Sequence, residues 1–130
     1  MLEMGLYAAI APLGLLLLSS VWRYPAVLEE VVKWGILRLN QSSDHSLAQG
    51  SELGRGALVG LAFGLSETVL YTMNSWVSMD WSAIAWRLLL TVPMHVGSAC
   101  MSAWGIKYER IYEGLGCAML IHVIFNYLLV

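Results

Sequence analysis

The sequence predicts an all-α fold, a polytopic membrane helix bundle of about five transmembrane helices, built as one integral-membrane domain over residues 1–130. Three observations predict it. Hydrophobic residues make up 58% of the chain and charged residues 12%, where soluble domains carry roughly 45–50% and about 25%. The apolar residues fall in long runs, each near the roughly 20 residues a helix needs to cross a bilayer. Aromatic residues gather at the ends of those runs. The net charge of -2 and the lack of a basic block exclude nucleic acid as a partner, leaving the lipid bilayer as the surroundings. Cys100 and Cys117 lie inside apolar runs and are expected to pack rather than to pair.

The first run, Gly5 to Val21, has Leu15 to Leu18 at its heart and is just long enough to span. Glu3 stands where a secretory signal would be basic, and no small-residue cleavage site precedes Arg23, so the run reads as a retained span. Pro25 to Asn40 reads as one helix opened by proline at its first position. Lys33 follows Glu29 by four residues and Glu30 by three, so both carboxylates flank one ammonium. Gln41 to Glu52, rich in Ser, Asp and Gln, reads as a solvated loop. The third run, Leu53 to Val77, carries Gly56, Gly60 and Gly64 at four-residue spacing, a smooth stripe for close helix packing, with Glu67 on the same side. A turn near Ser78 to Trp81 leads to Ser82 to Ile106, which holds Arg87, Pro93 and His95; Pro93 removes a backbone hydrogen bond beside His95 and predicts a kink. Lys107 to Glu113 is a charged connection, and the last run, Gly114 to Val130, carries His122 and Asn126 one turn apart.

Trp22, Tyr24, Trp76 and Trp81 form one aromatic belt, and Tyr7, Trp104, Tyr108 and Tyr112 the other. With five spans, Arg38, Arg55, Lys107 and Arg110 share the N-terminal side, which the positive-inside rule makes cytoplasmic. If the Glu29 helix is re-entrant instead, Arg23 joins them, so the topology stays open at this level.

Glu29, Glu30, Lys33, Glu67 and Arg87 then lie at hydrocarbon depth. At roughly 2.5–3.5 kcal/mol each, they oppose insertion by on the order of 10–15 kcal/mol before pairing. Arg87 sits near its helix end and can snorkel. The others require partners or water. Counting depth along the helices brings Glu29, Glu30, Glu67, His95, His122 and Asn126 toward one cavity opening on the C-terminal side. Taken singly, each has a bland reading: an ion pair for Glu29 with Lys33, a backbone-satisfied histidine, an inter-helix amide, and Ser98 as a packing serine.

Two chemistries suit the set. In the first, which needs no cofactor and ranks first because no helix carries two histidines with an intervening glutamate, Glu29 or Glu30 takes a proton from water while His95 or His122 positions it. In the second, Glu67, His95 and His122 hold zinc, and Glu29 or Glu30 acts on the bound water.

The motifs carry a resemblance. Glu29, Glu30 and Lys33 match Glu-Glu-x-x-Lys; Phe63 and Glu67 match Phe-x-x-x-Glu; His95 supplies a histidine in the next span; His122 and Asn126 match a final His-x-x-x-Asn. In this order, on successive apolar runs, they resemble the PrsW family of intramembrane proteases, relatives of the CAAX prenyl endopeptidases and of bacteriocin-processing membrane proteins. The resemblance implies a glutamic-type peptidase of a prokaryotic cell membrane, with Glu29, Glu30 and His95 essential and Lys33, Glu67, His122 and Asn126 completing the site. It implies a membrane-protein or peptide substrate such as an anti-sigma factor, and it leaves metal dependence open. The chain is shorter than is usual for that family, and Ala99 stands where a small polar residue is expected. Two rivals remain: a haem held by His95 and His122, and an ion or proton path along the carboxylates. The sequence does not set an oligomeric state.

Overall fold

A computed structural model describes residues 2–19, 24–41, 51–74 and 81–129. It contains five helices, α1 (Leu2–Ser19), α2 (Pro25–Leu39), α3 (Ser51–Asn74), α4 (Trp81–Lys107) and α5 (Ile111–Leu129), and no strand among the described residues. Trp22, Arg23, Trp76, most of the loop expected after Gln41 and most of the turn expected near Ser78 lie outside the described residues. The expected loop ends earlier than Glu52, which is already helical and buried against Arg55.

Helices α3, α4 and α5 are long and apolar enough to cross a membrane. Helix α1 is apolar, burying Met4, Ala8 and Leu15 along one stripe and exposing Leu6, Ile10 and Leu13 on the other. Helix α2 is 15 residues long, about 22 Å, short of the roughly 30 Å hydrocarbon core. A helix of that length with three charged residues at its centre depends on its neighbours, and it packs against all four other helices.

Glycine determines how closely those neighbours approach. A Cβ on Gly56 would meet Ala103 Cβ at 2.9 Å, one on Gly64 would meet Val92 Cα at 2.8 Å, and one on Gly60 would collide with the carbonyl of His95. The expected glycine stripe is therefore the seam along which α3 and α4 cross antiparallel, and Gly60 brings the α3 backbone to the level of His95. Gly105 and Gly114 do the same for α4 and α5. Helix α4 runs through Pro93 without ending. It stops at a turn in which Arg110 N–H donates to Gly105 O at 2.8 Å and Glu109 N–H to Ile106 O, the two bonds of a Schellman cap, with Glu109 left-handed at φ 58°.

An apolar core of Met4, Ala8, Ile36, Leu37, Val59, Phe63, Ala99, Ala103 and Ile106 fills the bundle on the side of Arg38, Arg55 and Lys107. Arg55 donates to Glu52 at 2.8 Å and to Leu37 O at 3.1 Å, joining the start of α3 to the end of α2. Above this core, polar residues occupy the centre.

A candidate catalytic cluster at the centre of the bundle

Helix α2 opens at Tyr24, whose carbonyl accepts from the Val27 and Leu28 N–H groups, with Pro25 at the first position. This start places Glu30 and Lys33 on the inward face, both 0% exposed. Lys33 Nζ lies 2.5 Å from Glu30 Oε1, 2.9 Å from His95 Nδ1 and 3.0 Å from Ser98 Oγ, so its three N–H donors each meet an acceptor. It also sits 5.3 Å from the Phe63 ring centroid, over its face. Glu30 Oε1 accepts from Ser98 at 3.0 Å and from His122 Nδ1 at 2.7 Å as well. Four helices thus meet on one ion pair. The cost of burying these charges is offset only because each carries several hydrogen bonds.

An ammonium can only donate, so His95 Nδ1 accepts from Lys33 and the ring proton belongs on Nε2, which faces Glu67 Oε2 at 2.5 Å. His122 is oriented the other way. Its Nδ1–H donates to Glu30, and its Nε2 lies 3.7 Å from Glu29 Oε2. The two rings meet edge to face with centroids 4.9 Å apart. Contact this close leaves no room for a porphyrin between them, which counts against the haem reading.

Ligand atoms of Glu29, His95 and His122 all lie within 4.8 Å of one another. These are the three groups that could share one ion, whereas the sequence grouped Glu67 with the two histidines; Glu67 Oε2 lies 2.5 Å from His95 Nε2. Exposure separates the acids further. Glu30 is sealed, whereas the side chains of Glu29 and Glu67 are 21% and 36% exposed and form the open edge. Asn126 stands one turn beyond His122 on α5, half-buried, and makes no hydrogen bond to the cluster. Ser98, read from sequence as a packing residue, belongs to the network. The signal was its position three residues after His95 on the same helix face.

The donor set fits a divalent ion. Three carboxylates, two imidazoles and one ammonium converge in the bundle, an excess of two negative charges when the carboxylates are ionised and the imidazoles neutral. A bound divalent cation would cancel that excess. Glu30 on Nδ1 of His122 would hold that ring with Nε2 free to ligate. To ligate through Nε2, His95 would have to leave Glu67 and carry its proton on Nδ1 instead, which would release Lys33.

No curated protein and no solved structure matches the chain. A family model does, across residues 8–130, and it covers every residue of the cluster. On that match and the helical membrane architecture beneath it, the chain belongs to the PrsW family of intramembrane metalloproteases and is a membrane-embedded peptidase.

Proposed function

We propose that the chain hydrolyses a peptide bond of a membrane-protein substrate at the open edge of this cluster, with a divalent metal ion, zinc by donor type, held by Glu29, His95 and His122. The observation that carries this reading is the convergence of those three ligand groups, two buried histidines and a partly exposed carboxylate, within 4.8 Å of one another. This reading prefers the second of the two chemistries the sequence offered. When bound, the ion supplies Lewis-acid polarisation.

The chain's own residues do the rest. Glu30 holds His122 in one tautomer, Lys33 anchors Glu30 to His95, and Ser98 bridges the two. Glu30 spends its Oε1 on three donors, which suits a positioning role. Glu67, half open and adjacent to the ligand set, is the base. It takes a proton from water as the water oxygen bonds to the scissile carbonyl carbon, then passes the proton to the amide nitrogen as the C–N bond breaks. Asn126, half-buried one turn from His122, is in reach of substrate rather than of the cluster and steadies the peptide. The family suggests a stress-signalling substrate of the anti-sigma class in a prokaryotic membrane.

The test is elemental analysis of detergent-purified protein together with cleavage of a model transmembrane peptide, with and without chelator. About one zinc per chain, and activity lost on chelation and regained with zinc, is expected. Metal-free protein that cuts as well and stops in Glu29→Gln would return the mechanism to the carboxylates alone. Flux of ions without any cleavage would favour the transport rival.

A further inference from the structure

The rim of the cluster carries a cation that this chemistry leaves unused. The α3–α4 seam continues past Gly64 and Val92 to Tyr71 and Arg87, where the guanidinium carbon lies 3.5 Å from the Tyr71 ring centroid. Tyr71 follows Glu67 by one helical turn, and Arg87 precedes His95 by two, with buried Thr91 between them. Both are half-buried. Stacking occupies the face of the guanidinium and leaves its N–H edge, a planar fork that matches a carboxylate. Among the described residues, no carboxylate forms an ion pair with Arg87.

Lipid phosphate is the ordinary destination of an arginine near a span end. Here the lipid side of the helix end is marked by Trp81 and Trp86, 71% and 61% exposed. Arg87 instead turns into the seam that Glu67 and His95 share, next to the open edge of the cluster. With an ion bound the cluster has no net charge to draw in an acidic peptide, and Arg87 is the charge at the rim that would attract one. Resting on the protease reading above, we propose that Arg87, held flat by Tyr71, recognises an acidic side chain of the substrate near the scissile bond.

Geometry fixes roughly where. From residue 87 to residue 95 is eight residues of α4, about 12 Å at 1.5 Å each. An extended peptide advances about 3.3 Å per residue, so the acidic side chain falls about three to four residues from the cut.

The experiment uses the full chain in vesicles and single-span model peptides whose cut site has been mapped by mass spectrometry. The positions three and four residues from the cut, on either side, carry Glu, Gln or Lys. Wild-type protein is expected to prefer Glu over Gln by about tenfold, through KM rather than kcat. Arg87→Gln should erase the preference and Arg87→Glu should invert it toward Lys, with Gln-peptide turnover retained as evidence of folding. Binding of the Glu peptide, followed by fluorescence, separates the two readings. Arg87-dependent binding of the Glu peptide with no peptide cut would sink the protease reading and keep only the recognition of an acidic side chain by Arg87, whereas cleavage without charge preference would sink the Arg87 proposal alone. A loss in Arg87→Gln that is equal for all peptides and follows the anionic lipid content would assign Arg87 to the bilayer and overturn the proposal.

Discussion

Two buried acid–base pairs in this bundle have the same spacing and different surroundings. Glu30–Lys33 on α2 and Glu52–Arg55 on α3 are both separated by three residues, and both are nearly sealed, at 0%/0% and 7%/7% exposure. Arg55 spends its second donor on the Leu37 carbonyl, which makes that pair a clasp between two helix ends. Lys33 spends its donors on His95 and Ser98, and Glu30 receives His122. Spacing on one helix determines that a pair forms; what other helices bring to it determines its use. An ion pair that touches two imidazoles, each with one nitrogen committed, is a device for fixing tautomers. One that touches a backbone carbonyl holds chain in place.

The sharpest test of that contrast removes one partner from each pair. Losing one member of a buried pair strands the other, at a cost of about 3–5 kcal/mol, so Glu30→Gln and Glu52→Gln should both destabilise, read as earlier unfolding in detergent. Cleavage should separate them. Glu30→Gln is expected to lose at least a hundredfold in kcat, because His122 is no longer held in its tautomer. Glu52→Gln should cut at nearly the wild-type rate per folded molecule. Folded Glu52→Gln protein that cannot cut would merge the two pairs into one network and break the distinction.

The next effect is smaller and acts through the seam that brings Glu67 to His95. A Cβ on Gly60 would meet Val96 Cα at 2.5 Å as well as the His95 carbonyl. These are backbone atoms that cannot turn aside, so α3 must back away from α4 at the level of the cluster. Gly60→Ala should cost about 1–3 kcal/mol of stability and reduce cleavage, since Glu67 retreats from His95. Gly35 is the control. Nothing lies within 4 Å of its added Cβ, and Gly35→Ala should gain up to about 1 kcal/mol from helix propensity with cleavage unchanged. Equal behaviour of the two variants would show that the seam tolerates separation.

Ser98→Ala should be milder again for catalysis, about tenfold in kcat, because Lys33 and Glu30 keep their direct contact at 2.5 Å when the bridging hydroxyl goes. Ser98→Ala turnover as low as that of Glu30→Gln would make the hydroxyl a reacting group.

The elements and most of the cluster could be read from the chain because a charge in an apolar run is expensive and so conspicuous. Glu29, Glu30, Lys33, Glu67, His95 and His122 stood out for that reason, and their helical spacing gave their faces. Ser98 was visible three residues after His95 but read as a packing residue, since a helical hydroxyl ordinarily satisfies itself on its own helix, as Ser98 also does on His95 O. The clasp of Glu52 and Arg55 looked like span-edge charge beside a polar loop, and only the approach of Leu37 from α2 reveals it. Which carboxylate joins the histidines was also beyond spacing. Glu29 and Glu67 approach His95 and His122 from different helices, and spacing along one helix does not say which side chain comes nearer to both rings.

The smallest expected effect concerns how His122 is delivered to the first pair. Helix α5 is aimed by the turn after Lys107, where Glu109 takes a left-handed conformation that costs a residue with a Cβ about 1–2 kcal/mol. Glycine takes it freely but loses more chain entropy on folding, roughly 0.5–1 kcal/mol, so Glu109→Gly should gain only about 0.5–1 kcal/mol. Arg110 N–H to Gly105 O and the close Gly105–Gly114 packing do not involve the Glu109 side chain, so α5 keeps its direction and cleavage is expected to be unchanged. A shift in kcat without loss of stability would mean that this turn, rather than the helix contact beyond it, sets the distance from His122 to Glu30. The ion pair would then depend for its function on a single strained residue about 13 positions along the chain from the histidine it receives.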